Sequence, residues 1–198
     1  MRFFHSLVLA LAALAVPTLP ALAAEARSEL ITKFCGDAAA MGEAGRSLIP
    51  IAAEGTSSDR LWARAITTAL IDRKFVCDAD GAVLQTPDGG TVDAATRGKR
   101  QVAEPSRSPL LNLRNRALFE TAEAALALRS APETARRAAA LRTLERQAST
   151  LPEQLFEAAI SDEADPALKQ QISAVAQAAA LNSSDIAKRI AAVQRIAA

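Results

Sequence analysis

The sequence predicts a mainly α fold, built from helical hairpins packed in series, with one small β-hairpin inserted among them. Three observations carry this. Hydrophobic residues are 50% of the chain, yet aromatics are only 4% and Tyr is absent; abundant Ala, Leu, Arg, Glu and Gln favour helix over sheet. Apolar residues recur at helical spacing over most of the chain after residue 24. The spacing fails at about 74–93, where short extended runs alternate with Gly- and Asp-rich turns. The 198 residues suffice for one domain with its own core.

Residues 1–24 read as a signal peptide. Arg2 gives a positive start, Leu7–Val16 is a ten-residue apolar run, and Pro17 and Pro20 break it. Ala21-Leu22-Ala23 has the small-x-small form of a cleavage site. The run is short for a membrane span, which needs about 20 residues. Cleavage would leave a periplasmic protein starting at Ala24 or Glu25, with no Cys there to take a lipid. It would also remove Arg2 and His5, the only histidine, so that the 23 basic residues become 22 against 22 acidic ones. That balance argues against a nucleic-acid binder, which needs a basic face, and against an electrostatic membrane binder.

The elements of the remaining domain, residues 25–198, follow in order. Glu25–Phe34 is a short helix with Leu30, Ile31 and Phe34 at helical spacing; Cys35-Gly36 ends it and Asp37 caps the next. Ala38–Ala53 is a weaker helix, interrupted by Gly42, Gly45 and Pro50. Gly55–Asp59 is a turn rich in N-cap residues. It opens the helix Arg60–Asp72, where Leu61, Ala65, Thr68 or Ala69 and Ile71 can share one side and Trp62 is expected in the core. Phe75-Val76-Cys77, Ala82–Thr86 and Thr91-Val92-Asp93 are extended runs separated by turns, a hairpin or three-stranded meander. Residues 94–109 form a polar loop with Gly98, Pro105 and Pro109.

Leu110–Arg129 is a helix with two apolar stripes at about 100° per residue. One holds Leu111, Leu118, Phe119, Ala122, Ala125 and Leu126; the other holds Leu113, Ala117, Ala124 and Leu128. Two stripes predict neighbours on both sides. Ser130 is placed as the cap of the following helix, with Pro132 in its first turn and Leu141 and Leu144 inward. Leu151–Ser161, Ala167–Leu181 and Ile186–Ala198 complete the series. The last two carry the same spacing, Leu168-Ile172-Val175-Ala179 and Ile186-Ile190-Val193-Ala197. Breaks at Ser130, Asp165 and Ser184 each begin with a cap-type residue and lead to Arg, Lys or Gln before a small or apolar pair. This is the look of a HEAT-like helical solenoid.

Catalytic chemistry has no visible seat. Without His5 there is no Ser–His or Cys–His pair and no His-based metal site. Gly89-Gly90 opens no phosphate-binding helix, and the carboxylates, Glu120 and Glu123 included, are spaced as helix-surface decoration. Asp78-Ala79-Asp80-Gly81 lacks the rest of a calcium loop, so a turn is expected there. No catalytic, cofactor-binding or metal-binding residue is assigned. Cys35 and Cys77 are either a disulfide, as an oxidising compartment allows, or two buried thiols.

The order of parts resembles the soluble N-terminal region of the permease subunit of urea-type ABC transporters, in the branched-chain amino-acid permease family. The resemblance is carried by Ala69-Leu70-Ile71-Asp72 with Phe75-Val76 and Asp78-Ala79-Asp80-Gly81-Ala82-Val83, then by Asn112-Leu113-Arg114-Asn115-Arg116-Ala117-Leu118. Ala127-Leu128-Arg129-Ser130, Ala138-Ala139-Ala140-Leu141, Glu163-Ala164-Asp165-Pro166-Ala167 and Leu181-Asn182-Ser183-Ser184-Asp185 continue it. It spans 25–198, and Gly98–Ser108 departs from the family's charged connection. It implies a non-catalytic periplasmic module of a urea or amide importer. That module would dock the solute-binding protein or brace the membrane permease part, and its chain would be a truncated or split permease. The other expectation is a free-standing periplasmic scaffold that binds another protein.

Overall fold

The structure, a computed structural model, describes residues 24–183 and 185–197. The expected signal peptide, apart from Ala24, lies outside the described residues, as do Ser184 and Ala198. The described chain is mainly helical with a small three-stranded antiparallel sheet.

Helices α1 (Ala24–Phe34), α2 (Ala38–Glu54) and α3 (Ser57–Ile71) come first. Asp37 caps α2 by accepting from the Ala39 and Ala40 N–H groups. The weak helix of the sequence reading is continuous and is the most buried of the three. Its glycines mark close packing: a Cβ on Gly45 would lie 2.8 Å from Leu118 Cδ2. Thr56 and Asp59 form a reciprocal capping box, so α3 starts three residues before the expected Arg60. Trp62 is in the core and donates from Nε1 to the Ala94 carbonyl at 2.8 Å. Of the residues that share the apolar spacing of α3, Ala69 is buried and Ile71 packs against the core, whereas Thr68 is exposed and Ala65 half-buried. Trp62, Ala63, Ile66, Thr67 and Leu70 face inward, while Leu61 is 57% exposed. Trp62, Ile66 and Leu70 together bury more apolar area than Leu61 and Ala65 could, and this sets the rotation of the helix.

Strands β1 (Phe75–Asp78), β2 (Gly81–Gln85) and β3 (Thr91–Asp93) form a meander in sequence order, with Phe75 opposite Leu84 and Cys77 opposite Ala82. Gly81 and Gly89 take positive φ at the two turns. The loop after β3 is tied back to the sheet. Cys77 and Arg107 exchange two backbone hydrogen bonds of 2.8 Å, and Asp93 N–H donates to Gly98 at 2.7 Å.

Helix α4 (Leu113–Ser130) is the centre of the molecule, packed against α2, α3, α5 (Thr134–Glu145) and α6 (Glu153–Asp162). Phe119 reaches into the core and meets Phe34, which in turn meets Phe75, with ring centroids 5.8 and 6.2 Å apart. From Ala124 to Leu128 every residue of α4 is buried. The other stripe is covered only in this half, because Leu113 is 89% exposed and Ala117 is exposed. Ser130 is no cap. It is the last residue of α4 and its hydroxyl donates to Leu126, while α5 starts at Thr134, beyond Pro132. A 3-10 turn at Ala148–Thr150 precedes α6.

Helices α7 (Pro166–Leu181) and α8 (Ile186–Ala197) close the described chain. Asp165 caps α7 through the Ala167 and Leu168 N–H groups, with Pro166 at the first position. The α7 stripe is covered by α5, α6 and the 3-10 turn, with Leu168 and Ile172 buried. The α8 stripe is not covered. α8 packs on α7 and buries Ala192, while Ile186, Ile190 and Val193 are 63%, 54% and 56% exposed.

Candidate interaction surface

Cys35 at the end of α1 and Cys77 in β1 are joined by a disulfide, with Cα atoms 5.7 Å apart. Arg107 covers the bond by donating to the Cys35 carbonyl. The bond pins the first helix to the sheet and has no free thiol beside it among the described residues.

The Asp-x-Asp-Gly turn is filled by a cation of the chain's own. The Arg100 guanidinium lies 3.1 Å from Asp78, 3.1 Å from Asp93 and 3.9 Å from Asp80. The Asp78 side chain is fully buried and also accepts from the Ala103 N–H at 3.0 Å. Burial opposes its ionisation. The Ala103 N–H and Arg100 outweigh that and hold the carboxyl below the usual range. Among the described residues no group of His, Cys, Asp or Glu could hold a metal ion.

Other arginines tie helix ends together. Arg129 on α4 donates to the Ala52 and Ala53 carbonyls at 3.1 and 2.7 Å, closing the C-terminus of α2, and to Asp162 of α6 at 2.8 Å. Arg137 on α5 pairs with the buried Glu163 between α6 and α7. Arg27 pairs with Asp59 at 2.8 Å and lies 5.3 Å over the Trp62 ring. Such pairs between elements leave no spacing signal, and none was read from the sequence.

Two outward features remain. The first is the α8 stripe. The second is a trough made of three adjoining hollows of about 420, 650 and 840 Å³. It runs from the sheet across α3, α4 and α5 to the middle of α2. Arg64, Thr68 and Ile71 form one wall, and Arg136, Ala139, Thr143 and Arg146 form the other. Ala124 and Ala127 of α4 lie between them. Glu120 is paired with Arg116 at 3.0 Å and Glu123 lies 3.7 Å from Arg64. Leu61 and Ala65 line the end of the trough near the sheet.

Among the described residues no helix is long and apolar enough to cross a membrane. Comparison with family models, with curated proteins and with solved structures gives no match to this chain.

Proposed function

We propose that this chain is a non-catalytic, exported docking module whose helical hairpins are HEAT-like and present an apolar helix face to a partner protein. One observation carries the docking role. The α7 and α8 stripes have the same i, i+4, i+7, i+11 spacing, and the chain covers the first while leaving three branched apolar side chains of the second exposed. Such spacing is a helix-packing seam. In stacked hairpins each helix pair buries its face on the next, so the α8 seam is where a further helix belongs. The hairpins α4–α5 and α6–α7 support the HEAT-like reading, although α2 also reaches α6. Export is supported by the leader-like residues 1–24 and by the Cys35–Cys77 disulfide.

The partner system is the one the resemblance implies, the solute-binding protein or membrane permease part of a urea or amide ABC importer. A photo-cross-linking side chain at the exposed Ala187, in the full chain expressed in its own host, tests this. Cross-links to transporter subunits support it. Cross-links to one unrelated periplasmic protein favour the free-standing scaffold, and no cross-link contradicts docking through α8.

A further inference from the structure

We infer that the trough across α3, α4 and α5 is a second docking site, and that its occupant is an acidic, amphipathic peptide segment of a partner protein. The inference rests on the docking reading above but uses a different surface.

The charge is local. Arg46, Arg64, Lys74, Arg97, Arg136 and Arg146 line the three hollows, against Asp72, Glu120 and Glu123. Six basic and three acidic side chains thus sit on one face of a chain whose totals are nearly equal. Glu120 and Glu123 are engaged by Arg116 and Arg64, so neither neutralises Arg46 or Arg146. Arg46 and Arg146 form no ion pair among the described residues, and both line the end of the trough that α2 borders.

The floor is apolar, and the sequence has an excess of apolar residues on the helix faces that form it. Ala117, Ala124 and Ala127 fall on one side of α4 and border the hollows, Ala117 exposed and the other two buried beneath the floor. Leu61, Ala65, Thr68 and Ile71 do the same on α3 and likewise border the trough. Leu61, Ala117 and Ala139 stay exposed along these faces, and exposed apolar residues at helical spacing beside a hollow mark a face shaped for another surface. The lining holds no aromatic side chain on which a base could stack. An amphipathic peptide uses both features, its apolar side on the alanines and its carboxylates on the arginines. A single strand of nucleic acid would use only the charge.

The probe is a display library of random 16-residue peptides selected on the full exported chain. Selected peptides are expected to be net acidic with a recurring apolar position. Their affinity, read by fluorescence anisotropy, should fall about tenfold or more in Arg46→Glu/Arg146→Glu, and also in Ala139→Trp, which fills the trough from an exposed position. It should weaken with added salt and be unchanged in Ile190→Glu on α8. Circular dichroism confirms that each variant is folded. Selection without acidic enrichment, binding indifferent to the trough variants, or equal competition by an oligonucleotide of the same charge overturns the inference. Failure at α8 alone would overturn the docking reading there and leave the trough result intact.

Discussion

Arg137 holds Glu163 through two parallel hydrogen bonds of 2.8 Å, and the Glu163 side chain is only 2% exposed. The same guanidinium donates to the Ala131 and Pro132 carbonyls at 3.0 and 2.9 Å. Glu163 also accepts from the Asp165 N–H at 2.8 Å. One ion pair therefore fixes the break between α4 and α5 to the break between α6 and α7. Removing either partner leaves the other buried without its counter-charge. Glu163→Ala is expected to lower the free energy of unfolding by about 3 kcal/mol. Urea titration of both single variants and the double variant checks this, with the double costing less than the sum.

The same pair sets an acid limit. The Arg137 hydrogen bonds, outweighing burial, hold the Glu163 carboxyl below the usual range, and Asp78 is also held low. A carboxyl whose folded pKa is depressed stabilises fully above its unfolded pKa and loses that contribution as pH falls through the folded value. Stability is expected to be flat near neutrality and to fall below about pH 4. Glu163→Gln should flatten that fall. An unchanged acid slope in denaturant titrations from pH 7 to 2 would contradict the assignment.

Arg100 stands where a metal would stand in the Asp78–Gly81 turn. Replacing it by Met leaves the buried Asp78 with only backbone donors, so Arg100→Met is expected to cost about 2 kcal/mol or more. NMR titration should show the Asp78 pKa rising in that variant. Millimolar calcium should leave the melting temperature of the unaltered protein unchanged.

The Cys35–Cys77 bond closes a loop with a sequence separation of 42 residues. By the chain-entropy relation it stabilises the fold by about 4 kcal/mol. Reductant should lower the melting temperature of the unaltered protein. It should have no effect on Cys35→Ser/Cys77→Ser, which should already melt at the lower value.

Local signals made most of the elements legible. Asp37 and the Asp165-Pro166 pair fixed helix starts, and Gly81 and Gly89 marked the turns of the meander. Orientation was less legible. The face of α3 is chosen by Trp62 and Ile66, but Leu61, Ala65 and Thr68 on another side repeat with nearly the same period. In α2, Gly45 reads as a weakness by propensity and serves as a contact point for Leu118. The arginine pairs and the trough join residues far apart in sequence, and periodicity along one helix carries no trace of them. The α8 stripe was legible as helical spacing, but spacing alone does not say what covers it.

The docking role of α8 is tested most directly by Ile190→Glu. The side chain is 54% exposed, so the substitution should leave the melting temperature within about 2 °C. It should abolish the cross-link from Ala187 to transporter subunits. A large fall in melting temperature would mean that the stripe is covered within the chain. Cross-linking that persists in a folded Ile190→Glu protein would mean that the partner does not use it.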